Sequence, residues 1–243
     1  MSAPAPERYA VVAGGSGFLG AAAAERLRVD GREVVVLDRV APRRPGTAWA
    51  QVELTDETAV AQALDGLLRE RGAPGALVLC QGWSPKGGDG RAVPEDQVPP
   101  ELFRRVLDVN LTSCYLLLRT LVPAMAAAGG GRAVAVGSAA AHTGRTTAGA
   151  AYAAAKAGVA SLVRTFAVRY GPDGVLVNGV APGKVANPAW PDDPEAVARY
   201  REQIPAGRLG EADELADVIA FLVSPRNTYL TGQTVIVDGG RLA

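Results

Sequence analysis

What most restricts this chain is a series of short, unbroken apolar runs, each followed by a segment of helical character. Tyr9–Ala13, Val34–Leu37, Ala76–Cys80, Ala133–Val136 and Val175–Val180 read as strands, and Gln51–Leu54 and Thr234–Val237 complete the set. A strand covered on one face alternates apolar and polar residues, whereas one covered on both faces stays apolar throughout. Helical segments separate the runs: Ala21–Leu27, Ala59–Arg69, Pro99–Ala128, Ala150–Tyr170 and Glu211–Val223. Pro123 is expected to break or kink the third of these. Buried strands alternating with helices specify an α/β fold, a doubly wound parallel sheet of seven strands flanked by helices. The 243 residues fit one such domain over 9–243, after a lead-in, 1–8, that reads as disordered. Two Pro/Gly-rich stretches, Trp83–Pro100 and Lys184–Gly207, follow strands and are expected to wall or cover a ligand crevice. The second is expected to be the substrate loop.

The first strand runs into Gly14-Gly15-Ser16-Gly17-Phe18-Leu19-Gly20, and a helix follows at once. Glycines there permit a tight turn and close backbone approach, and the helix start offers free N–H groups to a pyrophosphate. This strand–turn–helix context makes the domain Rossmann-type. Asp38 ends the second strand, 18 residues past Gly20. A carboxylate there suits the two hydroxyls of an adenosine ribose and repels a 2′-phosphate, which favours NAD over NADP. Arg39, Arg43 and Arg44 stand just beyond and could offset that preference. A solvated strand-end residue is the other reading of Asp38.

A second stretch carries chemistry. Ala150-Ala-Tyr152-Ala-Ala-Ala-Lys156 is a strong helix former, so phenol and ammonium stand one turn apart on one face. A free tyrosine titrates near ~10, and an adjacent cation lowers that by roughly 1–3 units, toward useful acid–base range. A half-buried tyrosine beside a solvated lysine is the plainer reading. Of 25 basic residues, however, only Lys86, Lys156 and Lys184 are lysine, so the compact ammonium at 156 stands out from an arginine background.

Equal numbers of acidic and basic residues, 25 each, give no pull toward nucleic acid or anionic membrane. No apolar run approaches the roughly 20 residues of a membrane span. Cys80 and Cys114 sit in apolar contexts and read as buried thiols, and a single histidine, His142, argues against a metal site. A cytoplasmic protein is expected.

With these stretches in place, the chain resembles the short-chain dehydrogenase/reductase family from Val11 to Gly240, closest to the single-domain branch that includes 3-oxoacyl-carrier-protein reductases. Leu107-Asp-Val-Asn-Leu111, Gly137-Ser138, Val177-Asn-Gly-Val-Ala-Pro-Gly183 and Tyr229-Leu-Thr-Gly-Gln-Thr-Val-Ile-Val-Asp-Gly-Gly240 carry the resemblance beyond the first two motifs. It implies an NAD(H)-dependent oxidoreductase moving a hydride between nicotinamide and a secondary alcohol or ketone. Tyr152 would exchange the hydroxyl proton, and Lys156 would depress the Tyr152 pKa and hold the nicotinamide ribose. Ser138 would hydrogen-bond the substrate oxygen, and Asn110 would orient a water leading from Lys156 to solvent. For the cofactor, the resemblance implies Gly14, Ser16, Gly17, Phe18, Leu19 and Gly20 at the pyrophosphate. Asp38, Arg39, Glu53 and Leu54 fall at the adenosine end, and Cys80, Gln81 and Gly82 in the loop that lines the adenosine ribose and braces the sheet. Pro182, Gly183, Val185 and Asn187 fall at the nicotinamide, with Tyr152 and Lys156.

Departures from the pattern mark where its contacts change. The usual N-N-A-G is here Leu79-Cys80-Gln81-Gly82, and the glycine turn has the G-x-x-G-x-x-G spacing of epimerase-like relatives. Glu53 replaces an aspartate and Asn187 a threonine. Ser138 and Tyr152 are 14 apart, a longer loop around His142–Thr147. A non-catalytic nucleotide sensor and an NAD-dependent epimerase or dehydratase are the alternatives these departures raise. Trp83, Lys86, His142 and Trp190 are candidates to face a ring or acyl chain. The arginine-rich composition is associated with bacterial genomes in which such reductases tailor secondary metabolites. Leu116, Leu117, Leu118, Leu121, Val159, Leu162, Val163 and Phe166 extend beyond one helix face each, which predicts a homotetramer, or a dimer.

Overall fold

The computed structural model describes residues 8–87, 92–144, 148–189 and 193–243; the first seven residues of the lead-in, and Trp190, lie outside them. Strands β1 (Ala10–Ala13), β2 (Val34–Asp38), β3 (Ala48–Gln51), β4 (Ala76–Leu79), β5 (Gly131–Val136), β6 (Val175–Pro182) and β7 (Thr234–Val237) form one parallel sheet. Their spatial order is β3-β2-β1-β4-β5-β6-β7. Winding changes direction between β1 and β4, and there the register sets Ala13 level with Leu37 on one side and Leu79 on the other. A crevice opens where helices diverge from such a switch point.

Among the described residues there are seven α-helices: α1 (Phe18–Val29), α2 (Glu57–Arg71), α3 (Pro100–Leu107), α4 (Ser113–Ala127), α5 (Ala150–Tyr170), α6 (Pro194–Gln203) and α7 (Ala212–Val223); α6 buries none of its residues. Successive strand residues point to opposite faces. Thus Val11, Leu37 and Leu77 join Leu117, Leu121 and Val163 in one core layer. Val12, Val36 and Val78 join Leu27, Ile219 and Leu222 in the other. Two covered faces are the physical reason the strands are apolar without alternation.

The structure changes four expectations. The third strand is Ala48–Gln51, earlier than Gln51–Leu54; Val52 and Leu54 are buried in the turn that leaves it. The long third helix is irregular at Asp108–Thr112, a π turn, while α4 runs through Pro123 without a break. By length and composition an 18-residue window of that 100–127 stretch, with mean hydropathy 1.2, could cross a membrane, although charged residues interrupt the run. Here it packs Leu117, Leu121, Val122 and Met125 into the core. The leucines and valines read as surplus apolar surface are largely this protomer's own core, since Leu116, Leu117, Leu118, Leu121, Val159, Val163 and Phe166 are all buried. Finally, α6 gives the 184–207 stretch a helix, with Asp193 accepting from the Ala196 N–H as its cap.

Candidate active site

The turns at the carboxyl ends of β1, β2, β4, β5 and β6 enclose a cleft of about 760 Å³. At its first wall, Gly14 has φ +70°, and a Cβ there would stand 2.6 Å from the Gln81 amide nitrogen. A Cβ at Gly20 would overlap the Gly14 carbonyl, so Gly20 lets helix meet turn rather than lining the cleft. Gly17 caps α1 without a side-chain bond, and the first helical bond runs from Ala21 N to Gly17 O. The N–H groups of Phe18, Leu19 and Gly20 are therefore outside the helix ladder, and no acidic residue occupies that first turn. This cradle fits an anionic diphosphate.

Beside it, Asp38 accepts from the Ser16 N–H at 3.0 Å and the Val40 N–H at 3.1 Å, which fixes the carboxylate at the edge of the glycine turn. Arg39 reaches Glu53 at 3.6 Å, and Glu53 also accepts from the Thr55 hydroxyl at 2.9 Å. Arg44 is drawn to Glu25 on α1 at 2.5 Å. Two of the three arginines expected near a ribose phosphate are thus already paired.

The cleft floor is set by the loop after β4. Leu79 is buried in the strand and Cys80 continues it by donating its N–H to Ala13 O at 2.9 Å. Gln81 replaces a short family residue with a brace: its Nε2 donates to Ser113 Oγ at 3.2 Å and Cys114 Sγ at 3.3 Å. Burial pushes the Cys80 thiol up to about 12, against the opposing pull of Lys156, and raises Cys114 as well.

Lys156 is 2% exposed, and its Nζ donates to Val136 O at 2.8 Å and Gln81 O at 3.5 Å. It lies 5.7 Å from the centre of the Tyr152 ring, one turn earlier on α5. Gly82 packs between Lys156 and Asn110: a Cβ there would stand 3.3 Å from Lys156 Nζ and 3.1 Å from Asn110 Oδ1. Asn110 is fully buried and does not line the cleft. Its Nδ2 donates to Trp83 O at 2.7 Å and Val106 O at 2.9 Å, and its Oδ1 accepts from Trp83 N at 3.1 Å. Taking the Val106 carbonyl, which a regular turn would bond through the backbone, accompanies the π turn centred on this residue. Ser138 leaves β5 with extended backbone, and its Oγ accepts from the Ala140 N–H at 3.2 Å, so the hydroxyl proton is left to donate.

Apart from Gly20 and Asn110, every residue expected to act in catalysis or cofactor binding lines this one cleft: Gly14, Ser16, Gly17, Phe18 and Leu19; Asp38, Arg39, Glu53 and Leu54; Cys80, Gln81 and Gly82; Ser138, Tyr152 and Lys156; Pro182, Gly183, Val185 and Asn187. Of the candidates for a substrate wall, Trp83 lines it and Lys86 and His142 do not. Asn187 spends its Oδ1 on the Ala189 N–H, leaving Nδ2 for the cleft. Sequence reading missed Arg105, Ser84 and Val109 as lining residues. Arg105 precedes Val109 by four residues, and that spacing was the available signal. It also missed Glu95, whose carboxylate accepts from the Ala150 N–H at 2.7 Å and ties the loop before α3 to the start of α5.

The comparisons agree with this architecture. A family model described as enoyl-(acyl carrier protein) reductase matches residues 13–241. The chain belongs to the short-chain dehydrogenase/reductase family and is an oxidoreductase. It is 36% identical to cis-4-hydroxycyclohexanecarboxylate dehydrogenase of Sinomonas cyclohexanicum, over 98% of this chain and 97% of that protein. It is 30% identical to 2-dehydro-3-deoxy-L-rhamnonate dehydrogenase (NAD(+)) of a Sphingomonas species, over 96% and 95%. Among solved structures, a short-chain dehydrogenase from Leptospira borgpetersenii with bound NAD+ superimposes with TM-score 0.89 at 25% identity, covering 98% of this chain and 93% of that one.

Proposed function

We propose that this protein is an NAD-dependent dehydrogenase that interconverts a secondary alcohol and a ketone on a ring. The observation that carries this reading is Lys156. A buried ammonium that meets only carbonyl oxygens is expensive to desolvate, and such groups are retained where their charge is used. Here the charge sits beside the Tyr152 phenol.

NAD, when bound, supplies the hydride acceptor, and its reduced form the donor. The uncapped start of α1 would hold its diphosphate and Asp38 its adenosine ribose, while the Asn187 amide and the third Lys156 donor are left for the nicotinamide end. The rest of the chemistry belongs to the protein. Ser138 donates its hydroxyl proton to the substrate oxygen, where negative charge develops as a carbonyl is reduced. Tyr152 gives the proton to that oxygen in reduction and takes it back in oxidation. Lys156, held by Val136 O and Gln81 O, keeps positive charge next to the phenol through the exchange. Asn110 pins the Trp83 backbone and, through Gly82, the space beside Lys156, and it orients the water that returns protons.

Residues 9–243 would act as one domain, with 184–207 as the substrate loop. We infer a homotetramer in the cytoplasm. Outward Phe103, Tyr115 and Val168 on α3, α4 and α5, and outward Phe221, Tyr229 and Ile236 around α7 and β7, support two separate contacts between copies. Free Cys80 and Cys114 suit a reducing compartment.

The test is NAD+ reduction with cyclic secondary alcohols, NADP+ in parallel, and Tyr152→Phe as control. Turnover with NAD+ that falls by roughly 100-fold or more in the variant, with NAD+ affinity kept, is the expected result. A variant as active as the parent would remove Tyr152 from the mechanism.

A further inference from the structure

We propose that Arg105 forms a carboxylate-binding subsite, so that the substrate is an anionic ring alcohol or its ketone; this rests on the secondary-alcohol reading above. The charges lining the cleft are Asp38, Arg39, Glu53, Arg105 and Lys156. Both carboxylates are committed, Asp38 to the Ser16 and Val40 amides and Glu53 to Thr55 and Arg39. Lys156 gives two donors to backbone carbonyls and is assigned by its third to the nicotinamide end. Arg105 is left as a cleft-lining cation with no carboxylate partner among the described residues, whereas its neighbour Arg104 pairs outward with Glu101 at 3.7 Å.

Its placement is built. The guanidinium carbon lies 5.2 Å from the Trp83 ring centre, and the Trp83 backbone is clamped at N and O by buried Asn110. A Cβ at Gly82 would meet both this Asn110, at 3.1 Å, and Lys156, at 3.3 Å. The guanidinium sits over the indole, a cation–π placement, and makes no hydrogen bond or ion pair among the described residues, so its N–H donors stay available. Such donors match a carboxylate in bidentate fashion. Ser84, next along the loop, lines the same cleft with a hydroxyl that has no hydrogen-bond partner, and can supply a further donor. An indole face beside a carboxylate-reading fork fits an apolar ring that bears an acid.

The experiment uses NAD+-saturated enzyme and two probe pairs. Calorimetry compares cyclohexanecarboxylate with cyclohexanecarboxamide, and kinetics compares 4-hydroxycyclohexanecarboxylate with its methyl ester. The parent should bind the carboxylate about tenfold or more tighter than the amide, and should favour acid over ester in kcat/KM by a similar factor. Arg105→Gln should collapse both ratios toward one, Arg105→Lys should restore part, and Arg104→Gln should leave them in place. Equal affinity for acid and amide in the parent overturns the subsite. So does an Arg105→Gln variant that loses NAD+ affinity while keeping the acid preference, which would assign the arginine to the cofactor. If the acid binds through Arg105 but no ring alcohol is oxidised, the reaction reading alone fails. If neutral cyclohexanol is oxidised and the acid gains nothing, the subsite alone fails.

Discussion

Gly82→Ala tests the geometry beneath the proposed proton-transfer group. The added methyl would stand 3.1 Å from Asn110 Oδ1 and 3.3 Å from Lys156 Nζ, both tighter than ordinary contact. Neither neighbour yields easily. Asn110 is held by three hydrogen bonds of 2.7 to 3.1 Å, and Lys156 by its 2.8 Å bond to Val136 O. Relief therefore moves a catalytic-site atom by a few tenths of an ångström or shifts the loop after β4. Overpacking of this kind costs about 1–3 kcal/mol, and each kcal/mol lowers Tm by roughly 2–4 °C for a chain of this size. Since a 1 Å misplacement can cost about 100-fold in rate, kcat should fall by about tenfold while NAD+ affinity changes little. Gly66→Ala is the matched control. Gly66 lies inside α2 with nothing within 4 Å of its added Cβ. That substitution should raise stability by about 0.5–1 kcal/mol and leave kcat alone. Differential scanning fluorimetry and steady-state kinetics on both variants are sufficient. A Gly82→Ala enzyme with parental Tm and kcat would refute the claim that residue 82 packs against Lys156 and Asn110.

Three further outcomes are expected. With its thiol pushed up to about 12, Cys80 should hold roughly one thiolate in ten thousand at pH 8; it should therefore label slowly with an aromatic disulfide reagent although it lines the cleft, fully buried Cys114 should resist until the protein unfolds, and fast native labelling of Cys80 would contradict its raised thiol pKa. Tyr9 is raised to about 12, chiefly by burial and against the pull of Arg71, so the folded state favours the neutral phenol. Its contribution is complete below pH ~10 and is lost as pH rises toward 12; Tyr9→Phe, which also deletes the 2.8 Å bond to Gly72 O, should lose about 1 kcal/mol at pH 7 and flatten that alkaline decline. Asp38→Asn removes a carboxylate whose repulsion of a phosphate about 4 Å away is of the order of 1–4 kcal/mol, so the preference for NAD+ over NADP+ should narrow by about tenfold or more in paired KM measurements, and an unchanged ratio would take Asp38 out of cofactor choice.

Several features were open to reading from residue order alone because each is local. Unbroken valine and alanine runs require cover on both faces, and that gave the parallel sheet. Glycines at 14, 17 and 20 between strand and helix gave the cradle, and Tyr152 and Lys156 at helical spacing gave one face. The tertiary structure decided what depends on contacts between distant segments. The π turn at Asn110 exists with the Trp83 backbone bonded to its side chain from 27 residues away, and no local pattern reports that. Arg105 is a cleft residue set over the ring of Trp83, which comes from 22 residues earlier in the chain. The aliphatic side chains of α4 and α5 went into this protomer's core because the sheet they cover is wide enough to take them. Periodicity sets which residues share a face; only packing sets what that face meets.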